Sequence, residues 1–92
     1  MHEESRDMKD QTLFAEGYDE AILGYQLGDP VRIIYSANKM VDIFIRDNEA
    51  TQEEAMDFLS YNTWNAYVGE GTPIYLWEAD RQEIEYFVID EQ

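Results

Sequence analysis

The chain has 92 residues and no Cys, and its 21 Asp and Glu against 6 Lys and Arg leave a formal charge of -15. This excludes disulfide scaffolds, thiolate metal sites and cysteine nucleophiles, and repulsion argues against direct contact with nucleic-acid phosphates or anionic lipid. One domain at the lower end of what buries its own core is expected, with a homodimer as the route to more burial, and a 45% hydrophobic content suffices for folding.

Residues 1–12 hold four acids and two bases with only Met1 and Met8 apolar, and read as a disordered acidic tail. Residues 13–92 read as a single α+β domain. Residues 51–92 carry ten acids and one base, Arg81, so most of the acidity belongs to the second half. The run Ala21-Ile22-Leu23-Gly24-Tyr25 fits a buried strand or a helix segment, and strand is preferred. Gly28-Asp29-Pro30 marks a turn, and Val31 to Tyr35 is β-branched and aromatic enough for a strand. Ser36 caps a helix to about Asp47, with Ala37, Met40, Val41, Phe44 and Ile45 facing inward.

Thr51-Gln52-Glu53-Glu54 has the form of a capping box and starts a second helix. Its inward stripe holds Ala55, Met56, Leu59 and Ala66, and Gly69 in a left-handed conformation ends it. Pro73 stiffens the entry to a strand at Ile74 to Trp77. Ile84 to Ile89 matches that strand as an antiparallel hairpin across Ala79-Asp80-Arg81-Gln82, although Ile84, Phe87 and Val88 also fit a helical period. The expected fold class is α+β, with two helices packed on a small antiparallel sheet.

The segment EAMDFLSYNTWNAYVGEGTPIYL, ending at Leu76, resembles a family of short acidic proteins of tailed phages and prophages. That family carries a helix of the type EEAxEYFxxN followed by GAYVGExTPIF, and the upstream YDEAILG and VRIIYSANKMVDIFIRD look like its first half. The resemblance covers residues 18–76 and departs at Asn65, where the family pattern has Gly, which removes a close helix approach. It implies a phage origin and an uncharacterised role, with no activity attached.

Catalytic material is scarce. His2 lies in the expected tail, away from any core candidate. Glu53 and Asp57 share a helix face at i,i+4, the spacing of a carboxylate pair and equally of a solvated acidic face. Residues 47–58 alternate acids but lack the Gly and terminal Glu of a calcium loop. Gly69-Glu70-Gly71-Thr72-Pro73 has no Lys and leads into a strand, so it is neither familiar phosphate loop. No catalytic, cofactor or metal site is therefore expected, and the chain reads as not an enzyme.

Thirteen aromatics exceed what so small a core needs, and Trp64, Tyr67 and Trp77 are assigned to an aromatic contact surface. Glu53, Asp57, Glu78, Asp80, Glu83 and Glu85 are assigned to an acidic face. Together they describe a non-enzymatic acidic binding protein, a phage accessory or host-takeover factor that engages a basic protein surface. Nucleic-acid mimicry of a host nucleic-acid enzyme's substrate is its sharpest form. The alternatives are a structural homo-oligomeric module and a small-ligand-binding protein or minor hydrolytic enzyme. No apolar run reaches the ~18 residues of a membrane span and the N-terminus lacks a signal-peptide stretch, so a cytoplasmic location, that of the host cell, is expected.

Overall fold

The computed structural model describes residues 11–91. After a 3-10 turn at Asp19–Ala21 come strands β1 (Ile22–Gln26) and β2 (Arg32–Ser36), then helices α1 (Ala37–Asn48) and α2 (Gln52–Leu59). A π-helical turn (Ser60–Trp64), strand β3 (Ile74–Leu76) and helix α3 (Arg81–Glu91) complete the chain. The class is α+β, as expected from the sequence.

The sheet differs from that expectation in being mixed. Strand order is β1-β2-β3, with β1 antiparallel to β2 and β3 parallel to it. The first pair is a local hairpin across the Gly28–Pro30 bend, in register at Tyr25 with Ile33 and Gln26 with Arg32. The second pair sets Ile34 beside Ile74 and Ser36 beside Leu76. Parallel strands need a crossover, and α1 with α2 supplies it. Residues 84–89, expected as the last strand, instead belong to α3. Asp80 decides this: Glu83 N–H donates to its Oδ1 at 2.9 Å, and Asp80 N–H donates to Glu83 Oε1 at 3.0 Å. This reciprocal capping box starts a helix where a hairpin turn was expected.

The core lies between β2 and the two crossover helices. Ile33, Tyr35, Met40, Val41, Ile43, Ala55 and Leu59 form it with Ala21, and Phe44, Ile45, Met56 and Trp64 pack against its edge. Strand alternation explains Ile33 and Tyr35, while Ser36 is buried for its hydrogen bonds. The Ser36 hydroxyl accepts from Lys39 N–H as the cap of α1 and donates to Glu78 Oε1 at 2.8 Å. The expected inward stripe of α1 omitted Ile43, which is buried.

The Thr51 box forms as read, with Glu54 N–H on the Thr51 hydroxyl at 3.1 Å and Thr51 N–H on Glu54 Oε1 at 2.9 Å. Thr51→Ala should lower the unfolding free energy by ~1 kcal/mol in a denaturant titration. The α-helix stops earlier than expected. Asn62 Nδ2 donates to the Phe58 carbonyl and Asn65 Nδ2 to that of Ser60, and a π-helical turn follows Leu59. Side chains thus occupy carbonyls that a continuing α-helix would use. Gly69 therefore ends no helix; at φ 132° it opens a turn in which the Thr72 N–H and hydroxyl both donate to its carbonyl.

Residues 1–10 of the expected tail lie outside the described residues. Gln11 and Thr12, placed in that tail, belong to the body: the Thr12 hydroxyl donates to the Val31 carbonyl at 2.8 Å, and the backbone of both residues crosses against Gly71.

Burial raises the phenol pKa of Tyr18, Tyr35 and Tyr75 above the ordinary 10.0, with further raising by Asp47 at Tyr18 and by Tyr35 at Tyr75. At Tyr35 the Ala15 N–H, donated to the hydroxyl oxygen at 2.7 Å, offsets part of the rise, and Asp19 and Glu16 add to it. A raised phenol pKa favours the folded state below the unfolded value of about 10, and that contribution is lost as pH rises through the folded values. Alkaline titration followed by tyrosinate absorbance and circular dichroism should show a late-ionising set whose ionisation coincides with unfolding.

Candidate functional site

The parallel pairing of β2 with β3 brings the start of β2 beneath the segment that follows the π-helical turn. Arg32 Nε donates to the Thr72 carbonyl at 2.7 Å, which ties this segment to the sheet. Beside that link lies an open cleft of about 620 Å³, walled by Arg32, Trp64, Tyr67, Thr72, Tyr75 and Trp77 among others. Trp64 and Trp77 meet edge to face, with centroids 5.2 Å apart and planes at 74°. Tyr75 is held from behind by Tyr35 at 5.8 Å. The structure thus brings Trp64, Tyr67 and Trp77 together, as the sequence grouped them.

Two features of the cleft escaped the sequence reading. The sequence presents Arg32 only as a strand residue, and among the described residues no carboxylate lines the cleft despite the chain's charge. The Trp64 Nε1–H is enclosed and has no hydrogen-bond partner among the described residues. An enclosed donor left unpaired costs about 1–3 kcal/mol.

Trp77 also closes one end of a second groove, about 480 Å³, lined by Met56 of α2 and by Ala79, Glu83, Ile84 and Phe87. Helix α3 is scarcely covered: Ile84, Tyr86, Phe87 and Val88 remain 51%, 73%, 69% and 47% exposed. The 3.6-residue spacing of Ile84, Phe87 and Val88 was the signal for this face.

The six carboxylates of the expected acidic face are all exposed, but they do not act as one set. Glu83 lines the α2–α3 groove, whereas Asp57 lines a separate depression with Glu54, Phe58 and Tyr61. Four have local partners. Glu78 accepts from Ser36, Asp80 and Glu83 cap α3, and Glu85 pairs with Arg81 at 2.6 Å. Glu53 lies on the outer face of α2, one turn before Asp57.

Among the described residues no three His, Asp or Glu side chains cluster so as to hold a metal ion, and no helix is long and apolar enough to cross a membrane. Arg46 with Glu20 and Asp47, and Arg81 with Glu85, are exposed ion pairs, which are worth little. The general repulsion of a -15 body should therefore dominate, so raising salt from low to physiological strength (~0.15 M) should raise the melting temperature at pH 7.

Comparison with family models, with curated proteins and with solved structures finds no match for the chain.

Proposed function

We propose that the chain is a non-catalytic binding protein that receives a basic amphipathic protein segment along the α2–α3 groove. The observation that carries this reading is the pair Ile84 and Phe87 on α3, 51% and 69% exposed, lining a groove rimmed by Glu83. Apolar area of this kind favours association, and residues 51–92, with nine more acids than bases, select a basic partner over a second copy of the same acidic chain. The resemblance of residues 18–76 to short acidic phage proteins supports a role in an infected host cell, acting on a host protein in its cytoplasm.

The test uses a fluorescein-labelled amphipathic helix of Lys and Leu and its Glu and Leu counterpart. Only the Lys peptide should bind, more weakly as salt rises, and Phe87→Ser should weaken it roughly tenfold without changing the circular dichroism spectrum. Equal binding of both peptides, or binding indifferent to Phe87→Ser, overturns the reading.

Nucleic-acid mimicry is the narrower form of the proposal. The bonds of Glu78, Asp80, Glu83 and Glu85 count against it, since the first three serve Ser36 and the start of α3 and the fourth pairs with Arg81, so that none stands free as part of a phosphate-like array. Competition with duplex DNA for a host nucleic-acid enzyme is its test.

A further inference from the structure

We infer that the Arg32 cleft binds a planar aromatic ring that carries an anionic group, a site independent of the α2–α3 groove reading. The walls supply the ring's contacts: Trp64, Tyr67, Tyr75 and Trp77 all line the cleft, and aromatic pairs favour offset or edge-to-face stacking. Its volume of about 620 Å³ falls within the range of small-molecule pockets.

Arg32 supplies the charge recognition. Among the described residues it is the one charged residue lining the cleft. Its Nε is held on the Thr72 carbonyl, and its two terminal nitrogens have no hydrogen-bond partner among the described residues. A guanidinium anchored through Nε presents its remaining donors in a fixed plane, the geometry that recognises a carboxylate or phosphate. That no carboxylate of the described residues lines the cleft sets it apart from the surface of a chain with a charge of -15, where acids are abundant. An aromatic cage for a cation would need the reverse arrangement, without Arg32. The Trp64 Nε1–H, enclosed and without a partner among the described residues, is a further donor carried by a residue of the cleft lining.

Both tryptophans of the chain line this cleft and Trp77 also lines the α2–α3 groove, so movement of the Trp64 indole N–H together with that of Trp77 reports the cleft. In nitrogen-15 correlation spectra, indole-3-acetate should shift both cross-peaks, and tryptophol, the same ring ending in a hydroxyl, should bind at least about tenfold more weakly. Adenosine monophosphate against adenosine gives the same comparison for a phosphate and decides which anion the cleft prefers. Arg32→Gln should abolish the preference for the charged member of each pair, and Arg32→Lys should retain part of it. Unmoved cross-peaks at millimolar ligand, equal affinity for acid and alcohol, or tighter binding of phenyltrimethylammonium would each overturn the inference. The acid and alcohol comparison on the unaltered protein stands even where Arg32→Gln loosens the fold.

Discussion

Leu59→Ala should lower the unfolding free energy by ~2–5 kcal/mol, a large share of the ~5–15 kcal/mol that holds a domain of this kind. Leu59 is fully buried at the end of α2 and belongs to a core that, among the described residues, has eight members, three of them on the crossover helix α1. Removing its branched end leaves a space that neighbours on two helices and a strand cannot all close without moving the elements themselves. The π-helical turn starts at the next residue, so the lost anchor also frees the segment that carries Trp64. Denaturant titration with an unchanged slope would report the loss as stability alone. A loss no larger than that of Thr51→Ala would mean that α2 is turned away from the core.

Gly71→Ala should cost about 2–3 kcal/mol, through a route that involves no cavity. Gly71 is buried where the chain's own beginning passes over it. A Cβ there would overlap the Gln11 carbonyl and come within 3.1 Å of Thr12 Cα. Backbone stands on the other side of the contact, so no side-chain rotation relieves it. The segment at Gln11 and Thr12 must lift, breaking the Leu13 N–H to Gly71 carbonyl bond and the Thr12 hydroxyl to Val31 carbonyl bond. A double-mutant cycle makes the mechanism testable: in a chain that starts at Leu13, the same substitution should cost almost nothing. Full cost in the shortened chain would place the strain elsewhere.

Local rules made much of this fold legible. Ser36 and Thr51 are caps whose partners lie three residues away, and both helices start where these residues place them. The same grammar is present at Asp80-Arg81-Gln82-Glu83, but the β-branched run after it fits a strand equally well, and a hairpin turn fits the same four residues. What was not legible depends on distance along the chain. Nothing near Ile74 states that it pairs in parallel with Ile34, and nothing near Gly71 states that Gln11 crosses it. The candidate site divides in the same way. Trp64, Tyr67 and Trp77 were grouped from composition and chain position, whereas Arg32 reaches the cleft only through the parallel pairing, about 40 residues removed in sequence from Thr72. The acidic face dissolved for a related reason: counting carboxylates does not reveal which ones are occupied by Ser36, Arg81 or a helix terminus.

Strand β1 lies at the rim of the sheet, and among the described residues no strand pairs with its outer side. Ile22, Leu23 and Tyr25 are exposed along it, and its pairing with β2 is irregular between Ile22 and Gly24. Such a rim is a template on which another strand can add, and proteins guard it with bulges and charge. Here the guard is mostly the whole-body charge, a colloidal defence, and it dissolves as the carboxylates take up protons towards the isoelectric point near pH 4.1. Acidification thus removes solubility and barrier together: with the carboxylates protonated, the exposed edge is free to pair, and precipitate formed near that pH is expected to show the growth of sheet from one molecule into the next, as a rise in β signal in the infrared amide band.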